Sequence, residues 1–383
     1  MQNSLPNLPA SGRLLSLDAF RGLTVAAMIM VNNPGDWSHS YAPLQHAPWN
    51  GWTPTDLIFP FFLFIVGVSI TFALGKGKEE RATGVSRKIV RRGLTLFALG
   101  LFLNLFSKFD LTTVRIPGVL QRIGLVYIAC SFIFLHTTTR QQRWILAGIL
   151  GVYWFLMTVV PVPGIGYPNL EPTTNLAAWL DFSILTPAHL YKATKVWDPE
   201  GILSTLPAIG TGLLGVLTGT WLRGSRPVAE KVAWLFAAGI LTTLAGVFFD
   251  AFFPINKALW TSSFVLLAGG LAMLGLATCY WLLDVVGVDK PAYRRYSLPF
   301  VAYGVNAITV FFLSGLIPRI MTLIKVNGPD GNKMGSQEYL YQTFIAPWFA
   351  DPRNASLAGA VTFILIWGVI LWIMYRKNII IKV

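Results

Sequence analysis

The chain has 383 residues and a formal net charge of +13, with 54% hydrophobic residues, only 12% charged ones and a mean hydropathy of +0.58. A soluble domain carries about 25% charged residues, so this chain, with 14 Trp and 26 Phe, has too little polar surface to face water. Disorder, a fibrous repeat and a nucleic-acid-binding domain are excluded, and a polytopic membrane protein is what is left.

In chain order, residues 1–12 show no basic n-region and no small-residue cleavage site, so no cleaved signal peptide is expected. A bilayer span needs about 20 largely apolar residues. Ten runs qualify, at 14–33, 57–75, 89–106, 119–136, 144–161, 203–222, 232–249, 261–284, 299–317 and 355–375. They read as helices because only helices and closed barrels satisfy the backbone in lipid. Barrel strands alternate over about 10 residues, and these runs are longer and more uniform. The fold class expected is an all-α polytopic membrane protein, one transmembrane domain over 1–383. Cys130 and Cys279 fall inside apolar runs, read as small buried hydrophobes, and make neither a disulfide framework nor a zinc site.

The loops assign a direction. One alternating set holds Arg13, Lys76, Lys78, Arg81, Arg87, Lys88, Arg140, Arg143, Arg223, Arg226, Lys231, Lys290, Arg294, Arg295, Arg376, Lys377 and Lys382, 17 basic residues in all. The opposite set, which includes both long loops, holds 9. The positive-inside bias then predicts both termini in the cytoplasm, with loops 34–56, 107–118, 162–202, 250–260 and 318–354 outside.

Ionisable and polar groups inside spans mark functional candidates. In the first span Asp18, Arg21 and Asn32 fall within a wedge of roughly 60° at about 100° per residue. Asp18 and Arg21 read either as a structural pair or as ligand contacts, and Asn32, near the outer end, reads as functional. Arg91 and Arg92 open the third span, where snorkelling to the headgroups is the plain explanation. Arg122 lies near the outer end of the fourth span, where the positive-inside bias disfavours a basic residue. His39, His136 and His189 read as loop or span-end residues. His46 differs, because it sits in an aromatic and Pro-rich stretch ten residues before Asp56. A His with a carboxylate in reach is suited to proton transfer near neutral pH, although buried hydrogen bonds and metal sites use the same pair. The outer loops do not offer the further ligands that zinc needs. Gly210-Thr211-Gly212-Leu213-Leu214-Gly215 matches a dinucleotide fingerprint, but it lies in a span with no strand before it. Gly215 and Gly219 instead suit close helix packing. Asn354-Ala355-Ser356 is a formal glycosylation sequon of low specificity.

Several stretches, in order, resemble the membrane core of the heparan-α-glucosaminide N-acetyltransferase family and its bacterial relatives. They are Leu17-Asp18-Ala19-Phe20-Arg21-Gly22, Met30-Val31-Asn32, Gln45-His46-Ala47-Pro48-Trp49-Asn50-Gly51, Thr55-Asp56-Leu57-Ile58-Phe59-Pro60, Val114 to Arg122, Asp198-Pro199-Glu200-Gly201-Ile202-Leu203, and Pro254-Ile255-Asn256-Lys257 with Leu259-Trp260. The resemblance covers nearly all of the chain, without the lysosomal protein's luminal domain and first helix, and the stretch between Asn32 and His46 is longer here.

What the resemblance implies is transfer of an acetyl group from cytoplasmic acetyl-CoA to the amine of a terminal glucosamine across a bacterial inner membrane. His46 matches the family's essential histidine and Asn32 a helper asparagine. Acetyl-CoA as co-substrate, an amino-sugar acceptor and the lipid bilayer are the partners expected, with no metal and no nucleic acid; a homodimer is compatible with the sequence. Asp18, Arg21, Arg91, Arg92 and Arg122 are the residues expected at the donor. Trp49, Asn50, Asp198, Glu200, Asn256 and Trp260 are those expected at the acceptor, with Asp198 and Glu200 alternatively capping a helix that starts near Ile202. His46 would act as general base or as acetyl carrier, with Asp56 holding its tautomer. A transporter of the amino sugar or of N-acetylglucosamine, without chemistry, is the competing class, and it would call for inverted repeats and broken helices in matching halves, which the sequence does not display.

Overall fold

A computed structural model describes residues 14–80, 83–106, 108–328 and 332–381; Arg13, Arg81, Lys382 and the residues before Leu14 lie outside the described residues. The chain divides into two compact units, one of residues 14–41 and 275–381 and the other of residues 42–274.

In chain order the helices are α1 Leu15–Asn32, α2 Pro54–Glu79, α3 Val85–Leu105, α4 Val119–His136, α5 Thr139–Thr158, α6 Leu176–Leu185, α7 Thr205–Arg223, α8 Val228–Asp250 and α9 Ser262–Tyr280. After a π-helical stretch at Trp281–Val286 follow α10 Gly287–Asp289, α11 Pro291–Val305, α12 Ala307–Leu323, α13 Ser336–Phe344 and α14 Pro352–Arg376. Each predicted span overlaps one of these helices. Among the described residues seven are long and apolar enough to cross a membrane, or eight if α11 and α12 count as one bent span. Helices α3 and α5 have 21 and 20 residues but are not among the seven; Arg87, Lys88, Arg91 and Arg92 charge the first turns of α3, and Arg140 and Arg143 those of α5.

Two expectations are corrected. The span at 299–317 is broken: α11 and α12 meet at Asn306 with a bend of 68°. At the bend the Asn306 side chain is committed to the distant C-terminal tail. It donates to the Ile379 carbonyl at 3.0 Å and accepts from the Ile381 amide at 3.0 Å. The fold is also not purely helical, since β1 Lys325–Asn327 pairs antiparallel with β2 Lys333–Gly335, Val326 opposite Met334.

Small residues set the helix packing. In the second unit a Cβ on Gly67 would stand 2.0 Å from the Gly212 carbonyl oxygen, and one on Gly215 2.0 Å from that of Phe64. Only glycine lets α2 and α7 approach so closely, and the fingerprint-like glycines of α7 are thus a packing face. In the first unit the same logic joins α1 to α11, where a Cβ on Gly304 would stand 1.9 Å from the Asp18 carbonyl oxygen. Cys130 and Cys279 are both free thiols.

Candidate active site

At the start of α2, Thr53 precedes Pro54, and proline suits the first helical position because its missing N–H would be unpaired there anyway. Asp56 is the third residue of the helix and turns back: its Oδ2 accepts from the Thr53 amide at 3.0 Å and from the Ala47 amide at 3.0 Å. This is the acidic half of a capping box. The other oxygen, Oδ1, meets His46 Nδ1 at 2.6 Å. The carboxylate is 1% exposed and the imidazole 55%. With Nδ1 donating to Asp56, Nε2 is the nitrogen left to accept a proton. The pairing inferred from ten residues of spacing therefore forms.

A third group completes the cluster. Lys257 Nζ lies 3.0 Å from His46 Nδ1, 3.3 Å from Nε2 and 3.5 Å from Asp56 Oδ1. Burial pulls its ammonium below the ordinary lysine range, against the opposing pull of Asp56 and Glu200. In the sequence Lys257 carries no mark beyond its place beside Asn256 in a stretch that bears the family resemblance. Its position is fixed by a clasp between two loops. The Gly51 amide donates to the Ile255 carbonyl at 2.7 Å, Gly51 bridges to Asn256, and Asn256 Nδ2 donates to Asn50 Oδ1 at 3.1 Å.

That clasp revises two expected acceptor contacts. Asn256 is fully buried, and its side-chain oxygen takes the Leu259 amide at 2.8 Å. Trp260, expected as a sugar platform, is 1% exposed and donates from Nε1 to Thr211 Oγ1 at 3.0 Å. Its ring packs edge-on against Phe59 and Phe264, so it is a core residue with no open face. Trp49 is half-buried, donates to the Leu170 carbonyl at 3.0 Å and packs edge-on against Trp197 at 5.2 Å; Asn50 is exposed.

Asp198 does not cap a helix either. Helix α7 begins at Thr205, and Asp198 instead forms a two-pronged pair with Arg115, Nε to Oδ2 at 2.8 Å and Nη2 to Oδ1 at 2.5 Å. Arg115 Nη2 also reaches Glu200 Oε2 at 2.5 Å. Burial would raise the Glu200 carboxyl, but Arg115, Arg122 and Lys257 outweigh it and hold it below the usual range. Burial opposes the Arg115 charge too, and its two carboxylate partners overcome that. Beneath this loop Asp181 accepts the Ile202 amide at 2.8 Å and the Asp198 amide at 3.2 Å; burial raises its carboxyl to about 6.

The donor-side residues do not form one group. Asp18 and Arg21 belong to the first unit, paired at 2.9 Å, with Arg21 also donating to the Gly304 carbonyl at 3.2 Å. Asn32 ends α1 in the same unit and is exposed. In the second unit Arg91 and Arg92 are exposed on α3, Arg92 lying over the Tyr127 ring. Arg122 stands apart from them, 1% exposed in the first turn of α4. It donates to the Gly201 carbonyl and Ser204 Oγ and lies 5.2 Å over the Trp260 ring, while its Nε and Nη1 meet no partner among the described residues. The other histidines have partners of their own: Asp36 for His39, Phe132 for His136 and the distant Val114 carbonyl for His189. Among the described residues no group of three or more His, Cys, Asp or Glu could hold a metal ion.

A family model described as "Heparan-alpha-glucosaminide N-acetyltransferase, catalytic" matches residues 13–247. The chain belongs to this family. Its relatives include the heparan-alpha-glucosaminide N-acetyltransferases of Homo sapiens and Mus musculus. The human protein is 29% identical over 97% of this chain and 60% of its own length, and the mouse protein 27% identical over 98% and 61%. The chain thus spans about three fifths of the length of these relatives. The matched segment contains His46, Asp56, Arg115, Arg122, Asp198 and Glu200; Asn256, Lys257 and Trp260 lie beyond it.

Proposed function

We propose that this protein is a transmembrane N-acetyltransferase that moves an acetyl group from cytoplasmic acetyl-CoA to the amine of a glucosamine-type sugar on the outer side of a bacterial inner membrane. The observation that carries the reading is the His46–Asp56 pair at 2.6 Å, with the imidazole open and the carboxylate buried, in a chain of this family. Asp56 fixes the tautomer that leaves Nε2 as the base. Nε2 takes the proton of the attacking amine as nitrogen bonds to the thioester carbon. The path through an acetyl-His46 intermediate uses the same nitrogen as nucleophile.

The topology proposed is ten spans with both termini cytoplasmic. Four loops predicted outside, at 34–56, 107–118, 162–202 and 250–260, supply this cluster: His46 and Asn50 from the first, Arg115 from the second, Asp198 and Glu200 from the third, Asn256 and Lys257 from the fourth. Their convergence in one unit supports placing them on one side. Asp18, Arg21, Arg91 and Arg92 serve the donor's entry, and Arg122, whose Nε and Nη1 meet no partner among the described residues, offers donors to the acyl end of acetyl-CoA. Asn32 keeps the helper role that the family resemblance implies. Trp49, Asn50 and Glu200 face the acceptor. A transporter reading finds one broken helix at Asn306, without a counterpart pair in the described residues, so catalysis is favoured.

The experiment is acetyl transfer to glucosamine by the purified protein in liposomes. His46→Ala is expected to keep acetyl-CoA binding and to lose turnover by ~10² or more. Retained turnover would remove His46 from the chemistry, and no binding of coenzyme A by the wild-type protein would favour transport.

A further inference from the structure

Lys257 has a geometry that an ordinary ion pair does not explain. Its Nζ is farther from the Asp56 oxygen, at 3.5 Å, than from either nitrogen of the His46 ring, at 3.0 and 3.3 Å. A donor aligned with one ring nitrogen's lone pair would be much farther from the other nitrogen. Near-equal distances therefore place Nζ off both lone-pair axes, beside the reacting nitrogen and not bonded along it. The Nδ1 lone pair is unavailable in any case, because Nδ1 donates to Asp56. An ammonium carries three N–H groups, and Asp56 Oδ1 is the anionic acceptor near them. Among the described residues at least one N–H is thus left for an incoming acceptor atom within contact distance of Nε2.

The fold invests in this position. Lys257 is carried on a loop whose neighbours, Ile255 and Asn256, are tied to Gly51 and Asn50 of the His46 loop. The clasp holds two segments 211 residues apart with the amine against the imidazole. A lysine that served only as a counter-ion to Asp56 would not need to meet the ring.

Resting on the reaction proposed above, we propose that the Lys257 ammonium is a catalytic group, donating to the acyl oxygen as it becomes an oxyanion. The acceptor nitrogen bonds to the thioester carbon, the carbonyl π pair moves to oxygen, and His46 Nε2 takes the amine proton. Lys257 stabilises that oxygen beside Nε2. Collapse re-forms the carbonyl, the C–S bond breaks with its pair leaving on sulfur, and the thiolate takes the proton from His46. The same oxygen forms if His46 itself carries the acetyl group. A charged donor is a stronger oxyanion partner than a neutral one. Glu200 and Asp56, the carboxylates facing Lys257, favour its charged form against the opposing effect of burial.

The test uses the full chain in liposomes with acetyl-CoA and glucosamine. Lys257→Cys is expected to lower kcat by ~10² or more while the KM for acetyl-CoA changes by less than about twofold. Alkylation with 2-bromoethylamine rebuilds an ammonium at that position and is expected to raise kcat at least about tenfold, whereas iodoacetamide, which leaves a neutral side chain, gives no gain. The wild-type protein, with Cys130 and Cys279, is treated in parallel. Wild-type kcat in Lys257→Cys, no gain from 2-bromoethylamine, or equal gain from both reagents overturns the assignment. If Lys257→Cys does not fold, Lys257→Arg is compared with Lys257→Gln, with kcat expected at least about tenfold higher for Arg; equal values overturn it. An inactive wild-type protein would instead overturn the transferase reading, and the assignment with it.

Discussion

Asp56 splits its two carboxylate oxygens between two tasks, one pinning the start of α2 and one orienting His46. The neighbouring Arg115 has a comparable double duty, since Asp198 and Glu200 both depend on it. Removing one partner of a buried ion pair strands the other, at a cost of about 3–5 kcal/mol. Arg115→Met is therefore expected to destabilise the protein on that scale, read from a denaturant midpoint in detergent, and a change below about 1 kcal/mol would show the cluster to be well solvated. Asp181 makes a pH prediction. Its carboxyl titrates at about 6 in the folded chain against 3.8 for the ordinary group. Between those values the folded state holds a proton that the unfolded state releases, so this group lowers stability as pH rises from about 4 to about 6 and is constant above, a swing of ~3 kcal/mol. Asp181→Asn should flatten that part of the Tm–pH curve; an unchanged curve would refute it. At this scale the sequence was a partial guide. His46 and Asp56 were readable together because ten residues of chain bring them into reach. Lys257 was not, because its partner lies 211 residues away. Asn256 and Trp260 were recognised as belonging to a meaningful stretch, but a stretch of sequence does not say which of its side chains face inward.

The elements were more legible than the contacts, because a span announces itself by length and hydropathy alone. Every predicted span overlaps a helix, and the glycines of α7 were readable as a packing face because their surroundings lacked any strand. The bend at Asn306 was hidden for the opposite reason: the groups that hold its side chain, the Ile379 carbonyl and the Ile381 N–H, lie 73 and 75 residues on. A local window over 299–317 contains nothing of that tail. The α2–α7 contact supplies the test at this scale. Gly215→Val puts a branched side chain where a Cβ alone would stand 2.0 Å from the Phe64 carbonyl oxygen. The two helices must part, so the expected loss is at least about 1–3 kcal/mol, the usual cost of overpacking. Because α2 also carries Asp56, activity should fall together with Tm. A variant with wild-type Tm would show that the helices are free to separate.

For the whole molecule, sidedness is the sharpest expectation. In liposomes of known orientation, acetyl-CoA supplied on the face of the basic loops should support transfer, and the same donor supplied only on the face of His46 should not; the reverse result would invert the topology. The division of the chain adds a constraint on its manufacture. The first helix shares a unit with residues 275–381 and not with its immediate successors. Arg21 donates to the Gly304 carbonyl across 283 residues, which at about 5–20 residues per second of synthesis is a wait of roughly 15 to 60 s. Throughout that interval the second unit can assemble while α1, with Asp18 and Arg21 on one stripe, has no α11 to rest against. A nascent chain arrested before α11 should therefore expose α1 to crosslinking by the insertion machinery, and release of the full chain should remove it from reach.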